Sequence, residues 1–100
     1  MTAGGEAAER ASLRALVRGR VQGVNFRQFV HTRATFLRLT GYVSNLDDGQ
    51  TVEVVAEGRR ADLEQLIEYL REGPRSARVD SVDVAWGEAT EQWTDFGFVS

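Results

Sequence analysis

A chain of 100 residues with 42% hydrophobic and 27% charged side chains has material for one domain and one core, and a formal net charge of −3 argues against nucleic acid as its main partner. There is no cysteine and one histidine, and the twelve basic residues are all arginine. That composition excludes a disulfide framework, thiolate catalysis, cysteine-based metal sites and lysine Schiff-base chemistry, and it argues against the usual zinc or iron clusters.

No apolar run approaches membrane-spanning length, and the start lacks the basic-then-apolar order of a secretion signal, so the cytoplasm is the expected location. Residues 1–11, rich in Ala, Gly and Glu, read as a flexible tail ahead of a domain over 12–100. A first strand is predicted over Ser12–Arg18. Leu13, Ala15 and Val17 alternate there with Arg14, Leu16 and Arg18, and parity sends the first set to the core. A helix over Phe26–Leu39 places Phe26, Phe29, Val30, Ala34 and Leu37 along one stripe. Asn25 is its predicted N-cap, with Gln28 three residues on as a capping-box partner, and Gly41 is read as the stop.

Two strands follow, Tyr42–Leu46 and Thr51–Glu57, joined by the hairpin-turn sequence Asp47-Asp48-Gly49. In the second, Val52, Val54 and Ala56 alternate with Glu53, Val55 and Glu57, giving one apolar face and one mixed face. A second helix over Arg60–Arg71 carries Leu63, Leu66, Ile67 and Leu70 as its stripe and ends at Gly73-Pro74. A fourth strand is expected over Arg78–Trp86, and a short last one holds Phe96 and Phe98. The order strand, helix, strand, strand, helix, strand, with right-handed crossovers, predicts an α+β ferredoxin-like βαββαβ sandwich. Its antiparallel sheet has both helices on one face and a short extra C-terminal strand.

Gly-Arg-Val-Gln-Gly-Val-Asn-Phe-Arg, from Gly19 to Arg27, is the strand-to-helix turn on which the functional reading centres. Such a turn leaves backbone N–H groups without intrahelical partners, and the helix dipole adds positive charge at the same place. Arg27 supplies a full charge and a planar fork suited to phosphate or carboxylate oxygens. The segment fits neither the nucleotide P-loop nor the dinucleotide fingerprint. Asn45, just before the hairpin turn, lies at the same end of the fold. If Val43 faces the helices, parity points Asn45 toward the turn. The bland alternatives are a solvated helix-start arginine and an asparagine bonded to its own backbone.

The run from Gly19 to Arg27, followed by Gly41-Tyr42-Val43-Ser44-Asn45, resembles the two signatures of the acylphosphatases. The resemblance continues through Val54-Val55-Ala56-Glu57-Gly58, the second helix and Ala77–Val82, and covers about Leu13 to Val99. It implies hydrolysis of a carboxyl-phosphate mixed anhydride to carboxylate and inorganic phosphate, without a cofactor. By the same resemblance Arg27 matches the arginine that binds the phosphoryl oxygens, and Asn45 the asparagine that holds the attacking water. Backbone N–H groups of Gln22, Gly23, Val24, Asn25 and Phe26 would bind the same phosphate. Two departures stand out. The side chain of Asn25 is expected to compete for loop N–H groups, and Leu46 removes a hydroxyl that some relatives carry.

Other residues read more simply. His31 lies off the core stripe and is expected to be solvated or locally bonded, Asp47 and Asp48 to shape a turn, and Trp86 and Trp93 to cover core edges. The acidic residues of the open sheet face are expected to be solvated or, at most, to form a weak protein-contact surface. An RNA-recognition domain shares this architecture but stacks bases on exposed aromatics, and strands one and three present only Arg14, Leu16, Arg18, Glu53, Val55 and Glu57 there. The remaining alternative is a regulatory or scaffolding protein of the acylphosphatase fold with incidental turnover. The expected partner is a small-molecule acyl phosphate met by a monomer, with no nucleic acid and no membrane.

Overall fold

The computed structural model describes residues 9–99, so most of the predicted tail lies outside the described residues. In chain order the elements are β1 (Arg10–Arg20), α1 (Phe26–Phe36), β2 (Thr40–Asn45), β3 (Thr51–Arg59), α2 (Arg60–Glu72), β4 (Arg78–Gly87) and β5 (Phe96–Val99). The strands form one sheet in the order β4-β1-β3-β2-β5. β1 pairs antiparallel with β3 and β4, β2 antiparallel with β3, and β5 parallel with β2. The ferredoxin-like arrangement read from the sequence is therefore present, with its extra strand making the sheet mixed. Among the described residues no helix is long and apolar enough to cross a membrane.

Period-two apolar residues build the core from the sheet side. Leu13, Ala15 and Val17 of β1 and Val52, Val54 and Ala56 of β3 are buried, as alternation requires of a face covered by helices. Phe26, Val30 and Ala34 of α1 and Leu63, Leu66, Ile67 and Leu70 of α2 close the core from above. Phe29 and Leu37 pack only at its margin.

Several element ends differ from expectation, and those around β1 and α1 matter most. β1 starts at Arg10 rather than Ser12, because Ala11 pairs with Gly58 and is buried. α1 stops at Phe36, three residues early. Arg38 takes the left-handed conformation (φ 61°), the Arg38 N–H donates to the Thr35 carbonyl at 3.0 Å, and the Leu39 N–H donates to the Ala34 carbonyl at 2.9 Å. This is a Schellman stop with arginine in the position glycine usually fills, and Gly41 instead lies within β2. At the other end Asn25 sits at the cap position with φ 68°, but its side chain makes no capping bond. Gln28 donates to the Thr32 hydroxyl at 3.3 Å, so no capping box forms.

The acidic residues of the open sheet face also differ from expectation. β4 and β5 lie at opposite edges, so residues 88–95 must cross the sheet, and they do so on the face away from the helices. The Ser12 hydroxyl donates to the Glu88 carbonyl at 2.9 Å, and Trp93 meets Tyr42 edge-on with ring centroids 5.4 Å apart. Between them, Glu57 accepts from the Thr90 hydroxyl (2.6 Å), the Thr90 N–H (2.9 Å) and the Glu91 N–H (2.8 Å). Glu57 is thus a buried anchor, 2% exposed, and not a solvated acid. Glu53 is half-buried, accepting from Arg14 Nε at 2.6 Å and the Tyr42 hydroxyl at 3.2 Å. One sheet aromatic, Tyr42, does stand on this face, but Trp93 of the crossing segment packs on it.

Candidate active site

At the end of β1 the register slips between Arg18 and Gly19, and the strand bends toward α1. Gly19 has φ 139°, and a Cβ there would lie 2.2 Å from the Arg78 carbonyl oxygen, so only glycine lets the bulge sit this close to β4. Val21, 1% exposed, then plugs the loop into the core. Gly23 (φ 74°) and Asn25 (φ 68°) are both left-handed, with Val24 between them on the ordinary side. Backbone of alternating hand turns successive N–H groups toward one concave side, a geometry that suits anions. Asparagine is among the few residues that tolerate φ > 0, which explains how position 25 takes this turn without glycine.

Two side chains tie the loop down. The Gln22 Nε2 group donates to the carbonyls of Leu46 and Thr51, each at 2.8 Å, joining the loop to the β2–β3 turn. The Ser76 hydroxyl donates to the Val24 carbonyl at 2.7 Å. The β2–β3 turn is itself braced. Asp48 accepts from the Thr51 hydroxyl and from the Gln50 N–H, and these two bonds, in that order, hold its carboxyl below the usual range. Asp47 and Asp48 are turn residues, as expected.

α1 then begins at Phe26, its first backbone bond running from the Phe29 N–H to the Asn25 carbonyl at 3.2 Å. The N–H groups of Phe26, Arg27 and Gln28 are left without intrahelical acceptors, and no acidic residue stands in the first turn to neutralise them. Among the described residues seven arginines pair with carboxylates (Arg10, Arg14, Arg18, Arg59, Arg60, Arg71 and Arg78), and Arg27 is not one of them.

Arg27 and Asn45 line the same hollow, of about 390 Å³, together with Val21, Gly23, Asn25, Phe26, Gln28 and Phe98. Asn45 is the last residue of β2, and its Oδ1 is enclosed with no hydrogen-bond donor among the described residues. A half-turn of the carboxamide exchanges that oxygen with the amide nitrogen at small cost, since the terminal torsion is soft. Of the five loop residues expected to offer N–H groups, Gly23, Asn25 and Phe26 border the hollow, whereas Gln22 and Val24 do not. Sequence reasoning missed Val21, Gln28 and Phe98. Only Phe98 left a signal, since it shares parity with the inward-facing Phe96. His31 is half-buried and makes no polar side-chain bond among the described residues; it stacks on Phe98, with centroids 4.8 Å apart and planes 17° apart. Among the described residues no three His, Asp or Glu side chains group as metal ligands would.

A family model described as acylphosphatase matches residues 13–98. The chain belongs to the acylphosphatase family. An acylphosphatase of Thermus thermophilus is 55% identical over 74 residues, 74% of this chain and 83% of that protein. One from Thermobifida fusca is 51% identical over 88 residues, 88% of this chain and 96% of the relative. Among solved structures, the acylphosphatase from Bacillus subtilis superposes with a TM-score of 0.86 at 37% identity, covering 90% of this chain and 99% of the other. The agreement spans the strand-turn-helix, the β2 end that carries Asn45 and the sheet around them, so the whole acylphosphatase scaffold is present.

Proposed function

We propose that the protein hydrolyses acyl phosphates, with Arg27 and the turn amides binding the phosphoryl group and Asn45 orienting the water. The supporting observation is convergence. A guanidinium with no carboxylate partner among the described residues, a turn of alternating hand at a helix start, and an asparagine whose enclosed Oδ1 meets no donor among them all border one hollow. At about 390 Å³ the hollow holds more than a phosphoryl group alone would fill.

In this reading the phosphoryl oxygens take the Arg27 fork and the N–H groups of Gly23, Asn25 and Phe26. In the half-turned carboxamide rotamer, water bonded to Asn45 Oδ1 attacks phosphorus in line with the acyl oxygen. A P–O bond to water forms and the P–O bond to the acyl group breaks. The electron pair leaves with a carboxylate that is stable at neutral pH, so no general acid is needed. The water's proton passes to a phosphate oxygen. Catalysis then rests on positioning and on fixed positive charge around the equatorial oxygens, which asks for no titrating side chain.

Hydrolysis of benzoyl phosphate tests this. Arg27→Ala is expected to lower kcat/KM by about 10³-fold through both binding and rate, and Asn45→Ala to lower kcat by about 10²-fold with KM nearly unchanged. Wild-type turnover no faster than buffer would sink the proposal and leave a family member used for regulation or scaffolding.

A further inference from the structure

β5 carries two phenylalanines of the same parity with different fates. Phe96 is 6% exposed, whereas Phe98 keeps 49% of its surface open. Phe98 pairs in register with Val43, two residues before Asn45, and it borders the hollow that Arg27 and Asn45 line. The other apolar side chains there, Val21 and Phe26, are each 1% exposed and offer a ligand almost no area. Phe98 is therefore the apolar surface of the site that remains free for contact.

The ring is also held. His31 follows Arg27 by four residues, so both rise from the same side of α1, and the imidazole lies nearly parallel against one face of Phe98. A ring fixed in this way loses little freedom when a ligand meets its remaining face and edge.

We infer that Phe98, backed by His31, is the wall against which the acyl group of the substrate rests, and that the site favours flat aromatic acyl groups over acetyl. The inference rests on the reading of the hollow as an acyl phosphate site. Once the phosphoryl end occupies the polar side, the space that remains is bounded by this ring. A planar acyl group can lie offset on it or meet its edge, and acetyl covers little of it.

The test compares kcat/KM for benzoyl phosphate and acetyl phosphate in the full chain, its Phe98→Ala and Phe98→Leu variants and His31→Ala. Phe98→Ala is expected to lower the benzoyl value about tenfold while the acetyl value stays within about twofold, the discrimination a single apolar wall supplies. Phe98→Leu should fall between, and His31→Ala should lose part of the preference by freeing the ring. Inhibition by inorganic phosphate, which reaches only the polar side, should be the same in all four proteins. If both substrates decline together, or the ratio does not move in either Phe98 variant, the wall is wrong even though acetyl phosphate is still hydrolysed. If the wild type hydrolyses neither substrate faster than buffer, the acyl phosphate reading itself has failed.

Discussion

Gln22 joins the two halves of the hollow with one side-chain amide, bonded to the carbonyl after Asn45 and to that of Thr51. Without it the strand-to-helix turn keeps only the Ser76 side-chain bond, and no side-chain bond among the described residues joins it to the end of β2. Gln22→Ala is expected to lower kcat on benzoyl phosphate by about tenfold, a misplacement effect, with far-UV circular dichroism unchanged. In an Asn45→Ala background the same change should cost little more, because residues acting as a unit are not additive. Equal costs in both backgrounds would show that Gln22 acts elsewhere. That Arg27 and Asn45 meet at one hollow was legible in the sequence, because charge, parity and paired motifs point the same way. Gln22 was not, since nothing along the chain tells a side-chain amide facing two remote carbonyls from one facing solvent. Asn25 was half legible. Its place at the helix start was right, but left-handed backbone, and not a capping bond, is what it contributes.

At the scale of elements, stripes were readable and ends were not. The three- and four-residue spacing of Phe26, Val30 and Ala34 required a helix, but its stop depends on Arg38 accepting a left-handed conformation that sequence assigns to glycine. The buried Leu39 next to it explains why: its side chain is pulled into the core and the chain must turn sharply before it. Holding a residue with a Cβ there costs about 1–2 kcal/mol, and glycine's extra freedom when unfolded gives back roughly 0.5–1 kcal/mol. Arg38→Gly is therefore expected to stabilise the fold by about 0.5–1 kcal/mol, read as a higher denaturant midpoint with an unchanged slope. The strand-to-helix turn shows the same logic in reverse, since Gly19 was marked by its residue type before its contact with β4 was known.

For the whole molecule, alternation and element order were enough to lay out four strands and two helices. They did not give the direction of β5 or the path of residues 88–95, which follow from the two edge strands being far apart. Glu57 holds that path, and it read as one more solvated acid because its partners lie more than thirty residues away. Burial alone would raise its carboxyl, but the Thr90 hydroxyl and the N–H groups of Thr90 and Glu91 outweigh burial and hold it below the usual range. Unfolded, Glu57 takes up its proton near pH 4.3, and folded it does so only at lower pH. The unfolded chain thus binds more protons in that window, so the contribution is complete above the unfolded value and is lost as pH falls through the folded one. Asp48 shifts in the same direction and adds to the same acid loss. Glu57→Gln should destabilise the protein at pH 7 by about 1–3 kcal/mol, by setting an amide donor against the N–H groups, and should flatten the acid limb of the stability profile. An acid limb identical in wild type and variant would remove Glu57 from the account.

The crossing segment also decides what the sheet presents to other molecules. It delivers β5 to the outer side of β2, whose residues Thr40–Asn45 carry no charge and include threonine, tyrosine and valine. If the segment lets go in acid, that uncharged border loses its cover while most of the sheet is still formed, and it becomes a template onto which another chain can add a strand. Light scattering below about pH 4 should then rise before far-UV dichroism is lost. Glu57→Gln should bring the same self-association to neutral pH.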